Sequence, residues 1–134
     1  MDMVCIYCSG KLGVGNSREQ KKLNQVWRRR NCGSCGAVLT SLEAIDLAKA
    51  ITVQHDKHSK PFSRDKLFVS IHESCKHRKD ALADATALTD TIIARLLPQI
   101  QDATLTKEKI RHSSAEILER FDKPAAVHYR AYHN

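Results

Sequence analysis

The stretch QVWRRRNCGSCG, residues 25–36, sets three consecutive arginines directly before a Cys-x-x-Cys pair. A second pair of the same spacing lies near the start of the chain, in VCIYCSG. Paired Cys-x-x-Cys turns are typical of structural zinc sites, in which four thiolates bind Zn²⁺ tetrahedrally at about 2.3 Å. We therefore predict that one zinc ion per chain is bound by Cys5, Cys8, Cys32 and Cys35.

Two other interpretations of the cysteine pairs are a redox-active dithiol and a set of disulfides. A single Cys-x-x-Cys would leave the redox interpretation open, whereas two such pairs favour a metal. The N-terminal residues lack a basic segment followed by an apolar core, so no export signal is predicted and disulfides are disfavoured. We expect a cytoplasmic protein without a membrane span, because its apolar runs are far shorter than the roughly 20 residues that a span needs.

The positive charge of the chain is concentrated near its start. Five of the seven net charges belong to residues 1–36, which contain seven Lys and Arg residues and two acids. Such a segment suits an anionic partner, most simply nucleic acid, although basic surfaces also serve solubility alone. Alternation along a strand would put Arg28 and Arg30 on one face and Arg29 on the other. Trp27 is expected to pack on the small core of this segment rather than to stack on a base.

The remaining pattern predicts an α+β protein. The 23 residues between the cysteine pairs suit the β-hairpin of a zinc ribbon. Residues 41–50 are interpreted as a connector with at most a helical turn. The stretch AITVQHDKHSKPF, residues 50–62, has a β-branched start and a polar tip, which predict a second hairpin.

About four helices are predicted after this hairpin. Ser63 and Thr106 are expected to cap two of them, and Pro124 is expected at the first position of the last. In the longest, helical spacing places five residues on one buried face: Leu82, Ala85, Leu88, Ile92 and Leu96.

No catalytic constellation is recognisable in the sequence. The seven histidines form no H-E-x-x-H motif, and there is neither a G-x-S-x-G motif nor a glycine-rich phosphate loop. A nucleophile pair of Cys75 with His72 or His77 is disfavoured, because a sulfur on an apolar helix face is more often part of the core. We predict that the protein is not an enzyme.

Three longer motifs carry a resemblance to a known family. They are VWRRRNCGSC, residues 26–35, LTSLE, residues 39–43, and KPFSRDKL, residues 60–67. Together with the spacing of the cysteines they resemble the NrdR family, bacterial zinc-ribbon repressors of ribonucleotide reductase genes. The likeness extends over almost the whole chain, with Trp27 in place of a family arginine, and the third motif resembles an ATP-cone, a nucleotide-sensing domain.

The resemblance implies a domain plan and a mode of action. A DNA-binding zinc ribbon would span residues 1–43, followed by a connector, 44–50, and an ATP-cone-like domain, 51–134. Binding of ATP or dATP to the cone would change a homo-oligomer and thereby gate repression. The residues implied to contact double-stranded DNA are Arg28, Arg29, Arg30 and Arg18.

The nucleotide site is where the chain departs from the family. Residues 54–57 are Gln-His-Asp-Lys, where the family has Lys-Arg-Asp-Gly. The resemblance implies nucleotide contacts from Val53, Gln54, His55, Lys57 and Lys66. We expect binding of adenine nucleotides that is weaker than in a typical member. The alternative is a degenerate zinc-ribbon module that binds RNA or protein and senses no nucleotide.

Overall fold

The computed structural model describes residues 3–133. The chain divides into two compact units, the first ending at Ile45 and the second beginning at Asp46. A small sheet with the four cysteines is followed by a second sheet and helices, which confirms the predicted α+β class. Within residues 3–133, none of the helices combines the length and the apolar character needed to cross a membrane.

The first unit is a three-stranded antiparallel sheet in the order β1-β2-β3. Its strands are β1, Leu12–Gln20, β2, Gln25–Cys32, and β3, Val38–Ala44. The hairpin of β1 and β2 was predicted, but the connector was placed wrongly, because residues 41–44 belong to β3. This segment has little strand signal of its own, and it is extended because its backbone pairs with β2 from Gln25 to Asn31.

The pairing of β1 with β2 is interrupted by a bulge. Val14 pairs with Arg30 and Ser17 with Arg28, so that Gly15 and Asn16 together stand opposite Arg29. A β-bulge of this kind increases the local twist of the strands. A Cβ atom on Gly15 would lie 2.9 Å from Asn31 Nδ2, so a larger residue here would displace the Asn31 side chain.

The second unit contains a small mixed sheet in the order β5-β4-β6. The predicted hairpin is formed by β4, Thr52–His55, and β5, His58–Pro61. Strand β6, Thr104–Thr106, pairs in parallel with β4 and was not predicted, since three residues give no periodic signal. A single helical turn, α1, Leu47–Ala50, precedes this sheet.

Four longer helices complete the second unit: α2, Arg64–Ser74, α3, Ala81–Leu96, α4, Lys107–Phe121, and α5, Lys123–Tyr132. The predicted caps of α2 and α4 are present, because Ser63 Oγ accepts from the Lys66 amide and Thr106 Oγ1 from the Lys109 amide. Helix α5 begins one residue earlier than predicted. Its cap is Asp122, whose carboxylate accepts from the Ala125 amide, and Pro124 therefore occupies the second position.

The core of the second unit lies between the helices and the sheet. From α3 it receives Ala85, Leu88, Ile92 and Leu96, as predicted, whereas Leu82 is 64% exposed. The prediction for Leu82 was wrong. Helical spacing identifies which face of a helix is buried, but it does not show how far along the helix other elements pack against that face. Cys75 is completely buried in this core, as expected of a small apolar residue.

Candidate metal centre, nucleic-acid interface and ligand cavity

The four paired cysteines converge at one end of the first unit. Their Sγ atoms all lie within 4.8 Å of one another. The Sγ atoms of Cys5 and Cys35 are 3.7 Å apart, and those of Cys8 and Cys32 are 3.4 Å apart. Tetrahedral zinc with bonds of about 2.3 Å requires sulfur–sulfur distances of about 3.8 Å. Four sulfur donors at these distances fit Zn²⁺ in a closed, structural site.

Backbone amides support the sulfurs in both turns. The Gly10 amide donates to Cys8 Sγ and the Cys35 amide to Cys32 Sγ, each at 3.4 Å. The amides of Cys35 and Ser34 lower the pKa of Cys32 to about 6. For Cys8 the Gly10 amide lowers the pKa, but the side chains of Cys32 and Cys35 outweigh it and raise the pKa to about 12. A divalent cation would remove this difference between the pKa values of Cys32 and Cys8, because it binds all four sulfurs as thiolates.

The two cysteine turns have the same backbone form. The Ser9 amide donates to the Cys5 carbonyl at 2.9 Å, and the Gly36 amide donates to the Cys32 carbonyl at 3.0 Å. Both residues adopt the left-handed conformation, with φ of 64° at Ser9 and 77° at Gly36. The repeated turn brings each pair of sulfurs onto one centre.

The arginines of β2 alternate between the faces of the sheet, as predicted. Arg28 Nη1 donates to Ser17 Oγ at 3.0 Å, and Arg30 Nε donates to Ser41 Oγ at 2.8 Å. Arg28 Nη2 also lies 3.9 Å from a carboxylate oxygen of Glu43. Arg29 is exposed, and no hydrogen bond or ion pair engages its side chain within residues 3–133.

Trp27 does not pack on the small core of the first unit, so that prediction was wrong. The core of this unit consists of Cys5, Leu12 and Cys32, with Ala37 and Leu39 packed against it. Trp27 is 38% exposed and alternates with Arg28, which puts its ring on the face of Arg29. There it lines a groove of about 270 Å³ with Asn16, Arg18, Arg28, Arg29 and Thr40.

A larger cavity, of about 460 Å³, lies within the second unit. Of the residues implied as nucleotide contacts, Val53, His55 and Lys66 line it, and Gln54 and Lys57 do not. Alternation along β4 explains the difference between Gln54 and its neighbours. The Gln54 side chain instead donates from Nε2 to the Asp56 carbonyl at 3.5 Å.

The cavity combines an apolar wall with several cations. Its apolar lining includes Val53, Pro61, Phe62, Leu67, Ile110 and Tyr129. Its cationic side chains are Lys60, Lys66, Lys107 and Arg111, accompanied by His55, His58 and His133. No acidic residue of the described chain lines it, and Arg111 Nε is buried without a hydrogen-bond partner there. The sequence did not predict a role for Lys60, Lys107 and Arg111, because only the fold brings β5 and α4, which are distant from each other in the chain, to the same cavity.

The turn between β4 and β5 does not need the glycine that the family has at position 57. Asp56 adopts the left-handed conformation with φ of 53°, and Lys57 does not. Asp tolerates this conformation better than most residues with a Cβ atom. The hairpin therefore closes without glycine.

Comparison with known proteins identifies the chain. Residues 3–43 match the family described as transcriptional repressor NrdR-like, N-terminal domain. The transcriptional repressor NrdR of Symbiobacterium thermophilum is 31% identical over 127 residues, which are 95% of this chain and 84% of that protein. The one of Geobacter sulfurreducens is 30% identical over 129 residues, 95% of this chain and 85% of that protein.

Both relatives are named as transcriptional repressors, a regulatory role without catalysis, which agrees with the prediction that the chain is not an enzyme. The matched region covers 95% of the chain and therefore extends over both units, and the four cysteines lie within the residues 3–43 that match the family. The chain belongs to the NrdR family of transcriptional repressors.

Proposed function

We propose that this protein is a zinc-dependent repressor of transcription that binds double-stranded DNA through its ribbon. The observation that carries the proposal is the position of the arginine strand, because Cys32 is both the last residue of β2 and a member of the cysteine cluster. A metal at this cluster holds Arg28, Arg29 and Arg30 in one rigid sheet. Guanidinium groups bind phosphate and guanine in bidentate fashion, and rigid donors lose less entropy on binding.

DNA binding is tested by the salt dependence of affinity for a duplex. Replacing Arg28, Arg29 and Arg30 with alanine should flatten the log–log slope by about 0.9 for every lost phosphate contact. A double variant of Lys79 and Lys123, two exposed cations of the second unit, is a charge control that should change the slope little. An arginine variant that keeps its zinc and binds duplex with unchanged affinity and slope would contradict the proposal. Tighter binding to RNA would favour the interaction module instead.

We propose that the cavity of the second unit takes an adenine nucleotide, and that ATP or dATP there gates assembly and DNA binding. A volume of about 460 Å³ is within the range of ligand sites, and an apolar wall beside cations suits a base linked to phosphates. Lys60, Lys107 and Arg111 offer positive charge from other segments, which offsets part of the charge missing at residues 54 and 55.

Calorimetry with ATP and dATP tests the nucleotide site. Lys66→Ala should weaken binding by ~1.5–3 kcal/mol, the value of a charge-assisted hydrogen bond. Lys57→Ala is the matched control, since Lys57 is exposed, does not line the cavity and should leave the affinity unchanged. Absence of heat from either nucleotide at millimolar concentration would show that the sensor has been lost.

The remaining parts of the proposal follow from the family. Residues 1–43 act as the DNA-binding ribbon, 44–50 as a connector and 51–134 as the nucleotide-sensing domain of a cytoplasmic repressor of ribonucleotide reductase genes. The protein acts as a homo-oligomer, because two linked ribbons gain avidity that one small ribbon lacks. Reductase transcripts should rise when the gene is deleted. Light scattering that finds only monomers, with and without nucleotide and DNA, would contradict the assembly.

A further inference from the structure

The two faces of the ribbon sheet differ in charge. Glu19 pairs with Val26, and Val26 pairs with Glu43, so that both glutamates lie on one face. These are the only acidic residues of the three strands. Arg28 and Arg30 share this face, where their guanidinium groups already donate to Ser17 and Ser41.

The opposite face, here called the tryptophan face, carries positive charge alone. Its first row across the strands is Arg18, Trp27 and Leu42, and its second row includes Arg29 and Thr40. Arg18 and Arg29 have no carboxylate within ion-pair distance among residues 3–133. Leu42 is 63% exposed beside Trp27. Two unpaired cations border this apolar pair, Arg18 across the sheet from Trp27 and Arg29 two residues along β2.

We propose that the tryptophan face is the surface that meets duplex DNA, with Trp27 as its base-contacting residue. This inference rests on the proposed DNA-binding function and assigns its residues. Arg18, across the sheet from Trp27, and Arg29, two residues along β2, bind phosphates, and the indole ring beside them contacts base edges. Arg28 and Arg30 are positioning residues, because their bonds to Ser17 and Ser41 tie β2 to its neighbouring strands.

Charge and shape both favour duplex DNA as the occupant. Phosphate contacts position a protein on DNA, while apolar and hydrogen-bonding groups between them read the bases. A face with cations and no carboxylate attracts the backbone without the repulsion that Glu19 and Glu43 would cause on the other face. Asn16 and Thr40, which line the same groove, add polar groups able to bond with base edges.

The test uses the zinc-loaded full chain and a short mixed-sequence DNA duplex. The chain has one tryptophan, so its fluorescence reports on this face alone. Saturation with duplex should quench the emission. Arg18→Ala and Arg29→Ala should each flatten the salt slope by about 0.9. Arg30→Ala should flatten it less, because its guanidinium group already donates to Ser41 on the other face. Lys79→Ala, which removes an exposed cation of the second unit, is the control that should leave the slope unchanged.

The base contact is tested by anisotropy of labelled duplex. Trp27→Ala should weaken binding on the order of tenfold without changing the salt slope, because it removes an apolar contact with base edges but no charge. Trp27→Phe should restore most of the affinity, and zinc content verifies that each variant is folded.

Three results would overturn the assignment. Unchanged tryptophan emission at saturating duplex, or a salt slope that Arg30→Ala flattens more than Arg18→Ala and Arg29→Ala do, would place DNA on the other face and leave the proposed function standing. Stronger quenching and tighter binding with single strands would replace duplex as the partner. Failure of the zinc-loaded wild-type protein to bind any duplex would instead defeat the proposed function itself.

Discussion

The two units of this chain are stabilised by different means. The ribbon buries Cys5, Leu12 and Cys32, and two of these three are members of the metal centre. The second unit buries fifteen residues in one cluster, from Ile51 to Tyr129. A sheet with so small a core depends on metal–sulfur bonds, whereas the second unit depends on the burial of apolar surface. The comparison teaches that one chain can combine a unit built around a metal centre with a unit built around an ordinary hydrophobic core.

The largest effect should follow from loss of a metal ligand. Cys32→Ser or chelation should unfold the ribbon, because zinc binding is worth on the order of 10 kcal/mol in small modules. Circular dichroism should show the helices of the second unit intact, and metal analysis should show no zinc. Cys75→Ala is the matched control, since this buried cysteine lies in the other core and its loss should leave zinc bound. A full complement of zinc in the Cys32→Ser variant would contradict the claim that the ribbon depends on this metal centre.

The reverse experiment weakens the second unit alone. Ile92 is completely buried in α3, and Ile92→Ala should cost about 2–5 kcal/mol by opening a cavity. Leu82→Ala on the same helix removes a side chain that is 64% exposed and should change stability by less than about 0.5 kcal/mol. Denaturant unfolding measures both. Release of zinc by Ile92→Ala under native conditions would show that the units do not depend on separate forces.

A smaller effect is expected at the start of α5. The Asp122 carboxylate accepts hydrogen bonds from the Ala125 amide and from the Arg78 guanidinium group. It also forms a hydrogen bond with His77 Nε2. These contacts, the Ala125 amide first, lower the pKa of Asp122 to about 2. The stabilisation is therefore complete above the ordinary pKa near 4 and is lost as the pH falls through about 2.

Asp122→Ala should cost about 1 kcal/mol at neutral pH through loss of the cap. Asp122→Asn keeps a capping side chain but no charge, so it should be less harmful and should flatten the acid limb of stability against pH. Thermal melts across the acidic range measure both variants. If the stability of Asp122→Asn falls with decreasing pH as steeply as that of the wild type, the pH dependence belongs to other carboxylates.

The smallest effect is a gain. Asp102 and Ala103, in the turn before β6, both adopt the left-handed conformation, with φ of 51° and 56°. Ala103→Gly should stabilise the second unit by about 1 kcal/mol, because glycine adopts this conformation without steric cost. Ala83→Gly, at an exposed position inside α3, should instead destabilise by roughly 0.5–1 kcal/mol. Destabilisation by Ala103→Gly would contradict the strain in this turn.

Much of the architecture was predictable from local pattern. The spacing of Cys5, Cys8, Cys32 and Cys35 predicts a tetrathiolate centre, since only paired turns bring four sulfurs together. The caps at Ser63 and Thr106 were predictable because a cap depends on residues within one turn. Strands β3 and β6 were not, since their extended backbone is stabilised by pairing with distant strands rather than by their own side chains.

The sequence by itself determined the metal chemistry, the helices and the alternation of arginines, because each depends on the order of neighbouring residues. Only the tertiary structure decided which face of the ribbon is free of carboxylates and exposes Trp27. It also decided that Lys60, Lys107 and Arg111 join Lys66 at one cavity. The physical reason is that charge balance and burial arise from residues far apart in the chain, whose separation in space no local pattern contains.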